Sequence, residues 1–135
     1  MHFLFDANLS HRLAEALKVL EEGDDRGISV TISHADNLLG RGATDMEVIQ
    51  EAGKTKAIII SQDDDFKRIK SNATLMRQLQ VGYVLYKPPK KGSRYWDIVV
   101  SFVQGWQRLK ETLANRETPF VFTINAKGES QEVFL

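Results

Sequence analysis

The stretch Lys56-Ala-Ile-Ile-Ile-Ser61 limits the fold more than any other part of the chain. Consecutive β-branched residues favour extended backbone, and the absence of polar alternation means that both faces of the strand are covered. Such a strand belongs to a parallel sheet with helices on either side. The neighbouring segments agree. Residues 2–5, His-Phe-Leu-Phe, read as a short buried strand ending at Asp6, and Val81 to Tyr86 reads as another, closed by Lys87-Pro88-Pro89. Ile28, Val30 and Ile32 alternate with polar or small residues, which predicts a strand there as well.

Between the strands the period changes to that of a helix. Leu9, Leu13, Ala16, Leu17 and Leu20 mark one apolar face, with Ser10 as its cap and Gly23-Asp24-Asp25 as its stop. Residues 35–43 read as a polar loop. Thr44 and Glu47 form a capping box that opens the next helix. One or two short helices fill 64–79. A long helix is expected from Ser93 to about Asn115, with Trp96, Val99, Val100, Val103, Trp106, Leu109 and Leu113 along its buried face. After Pro119, the alternation of Phe120, Phe122 and Ile124, the Gly128 turn and Val133 predict a terminal β-hairpin. The expected architecture is therefore a single three-layer α/β/α domain with a mainly parallel central sheet. Its α/β body spans 1–118 and a C-terminal β-hairpin spans 119–135. Val121, Phe122, Val133 and Phe134 are expected to complete the core or an oligomer contact such as a homodimer, because an exposed apolar edge invites association.

Composition excludes several functional classes. The 135 residues, 42% of them hydrophobic, suffice for one core. Without cysteine there is no disulfide scaffold, thiolate zinc site or thiol nucleophile. No apolar run approaches the roughly 20 residues that span a bilayer. Met1-His2-Phe3-Leu4-Phe5-Asp6 carries no basic segment and does not read as a signal peptide, so a soluble, cytoplasmic protein without membrane contact is expected. The net charge of zero conceals a division. Residues 1–66 carry 6 basic and 13 acidic side chains, a net of −7, and residues 67–135 carry 12 and 5, a net of +7. Such asymmetry is a hint of nucleic-acid contact.

In open α/β sheets ligands bind outside the carboxyl ends of the strands. Asp6 ends the first strand, Asp45 starts a helix after a loop that follows a strand, and Asp63 and Asp65 follow the strongest strand. Clustered carboxylates repel, and a hard divalent cation such as Mg²⁺ or Mn²⁺ relieves that repulsion while activating water for phosphodiester cleavage. Singly, each acid also has a structural explanation as a cap or turn residue. Their conjunction is what points to chemistry. Asp64 and Glu47 read as structural, and His11 and His34 as solvent-facing or hydrogen-bonded side chains without a catalytic part.

Phe5-Asp6-Ala7-Asn8-Leu9-Ser10, Arg41-Gly42-Ala43-Thr44-Asp45-x-Glu47-x-Ile49 and Ile58-Ile59-Ile60-Ser61-Gln62-Asp63-Asp64-Asp65-Phe66 resemble, in order and spacing, the compact bacterial PIN-like proteins, relatives of the VapC-type toxins. The resemblance covers about residues 1–90. It implies a metal-dependent ribonuclease with Asp6, Asp45, Asp63 and Asp65 as the acidic, metal-binding site. Asn8 and Ser61 match positions that support that site through hydrogen bonds. It also implies an RNA substrate and a toxin paired with an antitoxin. Three positions depart from the pattern: Ala7 replaces a commonly acidic residue, Ser61 the commoner Thr, and Asp64 completes a triple acid.

The segment from Tyr86 to Trp96 supplies Lys87, Lys90, Lys91 and Arg94 for phosphates and aromatic rings for unpaired bases. Lys67 and Arg68 form a second, smaller basic group. Two other readings compete with the nuclease. One is a phosphoryl-accepting, receiver-like signalling domain, echoed by Asp6, Asp63 and Lys87-Pro88. The other is a catalytically silent PIN-like RNA-binding module.

Overall fold

The computed structural model describes residues 1–62, 66–89 and 94–133, with the backbone alone for 66–68. The isoleucine-rich stretch forms β3 (Ala57–Gln62), with β1 (His2–Phe5) on one side and β4 (Gly82–Tyr86) on the other, both parallel to it. The edges are β2 (Thr31–His34), parallel to β1, and the hairpin of β5 (Phe120–Ile124) and β6 (Ser130–Val133). Because β5 pairs in parallel with β4, the sheet is a continuous six-stranded one in the order β2-β1-β3-β4-β5-β6. Only the last pair is antiparallel.

Alternating side chains feed two cores. Phe3, Phe5, Ile58, Ile60, Val84 and Phe122 face α1 (His11–Glu22) and α6 (Tyr95–Leu113). Leu4, Ile59, Leu85 and Val121 face α3 (Asp45–Thr55) and α5 (Ala73–Gln78), with the short α2 (Ala35–Leu39) and α4 (Phe66–Ser71) nearby in sequence. The result is the expected three-layer α/β/α arrangement. From β2 onward the connections carry the chain across the sheet in one direction. The first two of them lie on the α3 face, whereas α6 lies on the α1 face. The β4–α6–β5 crossover therefore has the opposite hand to the other three, an exception to a strong rule.

Four local expectations need correction. β2 begins at Thr31, not Ile28, because its partner β1 begins at His2; Ile28 is exposed and the Met1 amino group bonds the Ser29 carbonyl instead. Part of the expected loop at 35–43 is α2, capped by the His34 ring, whose Nδ1 accepts the Asp36 N–H at 3.1 Å. Ala16 and Leu20 on α1 face outward, leaving Leu9, Leu13 and Leu17 in the core. On α6, Trp96, Val100 and Val103 are exposed. The buried stripe is Phe102, Trp106, Leu109 and Leu113, because Phe102 and Trp106 lie against the rings of Phe3, Phe5 and Tyr86. Val99 is half-buried against the same core. The Thr44–Glu47 capping box forms as the spacing requires.

Candidate active site

β1 and β3 lie side by side, yet the chain leaves them towards opposite faces, through α1 and α4. Adjacent strands whose continuations diverge open a crevice at their carboxyl ends. Asp6 stands there. Its N–H extends the ladder by donating to the Ile60 carbonyl at 2.9 Å, while its side chain turns inward and is only 4% exposed. Oδ1 accepts the Ala7 N–H at 2.8 Å, and Oδ2 accepts the hydroxyl of the fully buried Ser61 at 3.1 Å. Burial of a carboxylate is tolerable where donors replace its water, and the neighbouring strand supplies one through Ser61.

Asn8 extends the same network. Its Oδ1 accepts the Gln62 N–H at 3.0 Å and its Nδ2 donates to the Gln62 carbonyl at 2.6 Å, as a neighbouring strand's backbone would. Nδ2 also donates to Ser61 Oγ at 3.0 Å, and the hydroxyl of Ser61 has Asp6 Oδ2 as its nearer acceptor, 3.1 Å against 3.3 Å to Asn8 Oδ1. Asp6, Asn8 and Ser61 are thus one hydrogen-bonded chain across the ends of β1 and β3.

Asp45 arrives from another element. It is the first residue of α3, where the positive end of the helix favours a carboxylate. Asp6 and Asp45 line one small cavity floored by Val48, Ile49, Ile59 and Met76. Asn72, between α4 and α5, and Tyr83 of β4 complete its wall. Sequence reasoning passed over both residues. Tyr83 was recoverable from strand alternation, which puts it on the same face as Ile59 and Ser61. Asn72 carried no signal.

The remaining candidates divide. Lys87 directly follows β4 and Arg94 stands at the N-cap position of α6, so both lie on the carboxyl edge, exposed. Lys67 and Arg68 fall on α4. Asp63, Asp65, Lys90 and Lys91 lie outside the described residues. His34 is buried, accepting at Nδ1 and facing the Leu9 carbonyl at 2.8 Å from Nε2, which fixes the Nε2–H tautomer; His11 is exposed, and neither ring lines the cavity. Burial pushes the Tyr86 phenol up and the His2 imidazole down, and neither group lines the cavity.

The donors at the cavity are hard carboxylate oxygens, the type that Mg²⁺ and Mn²⁺ take, and Asp6 is held in one orientation. Among the described residues, no three His, Asp or Glu side chains gather closely enough to hold an ion by themselves. Against known proteins, a family model for the PIN like domain matches residues 1–87. The chain belongs to the PIN-like domain family. No curated protein and no solved structure matches it. The matched part of this PIN-like domain contains β1 to β4, and with them Asp6, Asp45 and the Asn8–Ser61 network. The family is associated with a nuclease-type fold. Among the described residues of the domain, no helix is long and apolar enough to cross a membrane.

Proposed function

We propose that this PIN-like domain is a metal-dependent endoribonuclease, the toxin of a toxin–antitoxin pair. One observation carries the reading: Asp6 and Asp45, from elements far apart in sequence, line the same cavity at the carboxyl ends of the sheet. Asp6, Asp45, Asp63 and Asp65 are the residues that would hold Mg²⁺ or Mn²⁺. When bound, the ion supplies a more acidic water and charge stabilisation for phosphodiester hydrolysis. The chain's own part is to position. Ser61 and the Ala7 amide fix both oxygens of Asp6, and Asn8 fixes Ser61. The apolar floor under the two acids limits water to the open side. Lys87 and Arg94, with Lys90 and Lys91, attract the RNA backbone.

The test is incubation of the purified protein with structured and unstructured RNAs in Mg²⁺, Mn²⁺ or EDTA. Cleavage should require the metal, and Asp6→Asn should reduce it at least ~100-fold while the protein remains folded by circular dichroism. Cleavage indifferent to EDTA would overturn the mechanism. RNA binding without cleavage under any condition would make the protein a silent binding module instead. Expression of the wild type, and not of Asp6→Asn, should arrest growth if the chain is a toxin.

A further inference from the structure

Tyr95 and Trp96 are exposed, at 47% and 70%, although every other described Phe, Tyr and Trp side chain is buried. Their rings meet edge to face with centroids 5.7 Å apart. The pair opens α6, and α6 starts at the carboxyl edge because it returns the chain from the end of β4 to the start of the parallel β5. Asp6 and Lys87 end their strands on that edge, and Arg94 immediately precedes the aromatic pair. Two uncovered rings and two exposed cations therefore share an edge with the carboxylate cavity.

We propose that Tyr95 and Trp96 form a stacking platform for unpaired nucleobases, with Lys87 and Arg94 taking the adjoining phosphates. The identity of the ligand rests on the ribonuclease reading. The platform deepens it by assigning recognition to a segment beyond the 1–87 family match. Bases in a duplex already have both faces stacked on neighbours, whereas an unpaired base gains a partner on an exposed ring. Phosphate contacts add affinity without sequence preference. The surplus of 12 basic over 5 acidic residues in 67–135 suits a polyanion. The exposed apolar surface of α6 continues to Val100 and Val103, roughly 6 and 10 Å further along the axis at 1.5 Å per residue. The aromatic and aliphatic parts can be tested apart.

The two tryptophans make the experiment direct, because Trp96 is exposed while Trp106 is buried and donates its N–H to Glu21. In EDTA, which stops metal-dependent cleavage, a single-stranded oligouridylate should quench the exposed emission saturably and shield it from acrylamide. A duplex RNA of equal length should bind at least about tenfold more weakly through this site. Trp96→Ala should weaken single-strand binding, read by anisotropy of a labelled oligonucleotide, about tenfold or more. Trp96→Phe should retain most of the affinity, and Val103→Ser should be unchanged. Absence of wild-type binding in EDTA, unaltered binding by Trp96→Ala, or equal protection by duplex overturns the platform. Val103→Ser losing as much as Trp96→Ala also overturns it and assigns the α6 face to a protein partner. The two readings fail separately. Trp96-dependent binding with no cleavage in Mg²⁺ or Mn²⁺ sinks the nuclease alone, and cleavage of single-stranded RNA unimpaired in Trp96→Ala sinks the platform alone.

Discussion

A carboxylate as enclosed as Asp6 keeps one orientation only while its donors stay in place, and Ser61 is a donor that a point mutation can remove. Ser61→Ala deletes the hydroxyl that donates to Asp6 Oδ2 and one of the acceptors of Asn8 Nδ2 together. It should lower stability by about 1–2 kcal/mol, as expected for a buried hydrogen-bonded hydroxyl. It should also weaken Mn²⁺-dependent cleavage and raise the Mn²⁺ concentration at half-maximal rate, because an Asp6 held less firmly at Oδ2 is less well oriented towards an ion. Ser61→Thr keeps the hydroxyl and should stay well above Ser61→Ala in rate. Equal metal dependence in wild type and Ser61→Ala would reduce Ser61 to a packing residue. Such residues are visible in a sequence because Asp6 and Asn8 follow the end of β1 and Ser61 stands near the end of β3. His34 is not. Its capping role depends on Asp36 beside it and on the Leu9 carbonyl 25 residues away, and nothing local in the sequence announces that pairing.

Among the elements, α6 shows where periodicity ceases to decide. Apolar side chains occupy slightly more than half its circumference, so two stripes compete for the sheet. The choice falls to what the sheet presents, namely the rings of Phe3, Phe5 and Tyr86, and to a pair that no periodicity reveals. Lys110 points inward, its side chain 3% exposed, to Glu21 at the end of α1 at 2.6 Å, and Trp106 donates to the same oxygen at 2.6 Å. Removing one member of a buried pair leaves the other charge without compensation, at a cost of about 3–5 kcal/mol. Glu21→Ala should therefore lower the urea unfolding free energy by about that amount, a large share of the roughly 5–15 kcal/mol usual for a domain. Adding Lys110→Met should recover much of the loss, since a buried apolar chain needs no counter-charge. If Glu21→Ala costs less than about 1 kcal/mol, the docking of α6 on α1 rests on the aromatic contacts alone. By contrast, the start of α3 and, to within one residue, the strand β3 were legible, because a capping box and a β-branched run carry their instructions locally.

At the scale of the whole molecule, the hairpin is bound into the sheet rather than appended to it. The strand order β2-β1-β3-β4-β5 is that of flavodoxin-like and receiver-like sheets. The α6 crossover, lying on the α1 face, separates this chain from a sheet whose crossovers all share one hand. Alternation of Phe120, Phe122 and Ile124 announced a strand, but no sequence pattern could tell that it would pair in parallel with β4 after a 19-residue helix. The fit is close. Phe120 lies over Gly82, where a Cβ would come within 2.5 Å of its ring, and the hairpin turn at Gly128 approaches α6 so nearly that a Cβ on Gly105 would meet its Cα at 3.0 Å. The family match ends at residue 87, yet the core does not. A chain truncated after Thr118 loses the burial of Phe120, Phe122 and Ile124, worth about 1.5–3 kcal/mol each, and opens β4 as an apolar edge. The sum is comparable with the whole stability of an ordinary domain. The truncated chain should lose its cooperative thermal transition and bind a hydrophobic dye, even though Asp6, Asp45, Asp63 and Asp65 are all retained. Gly82→Val in the full-length chain should act in the same direction but less strongly, by displacing Phe120 without removing the strand. A 1–118 fragment that melts cooperatively near the wild-type temperature would show that the first four strands and α6 close a core without β5.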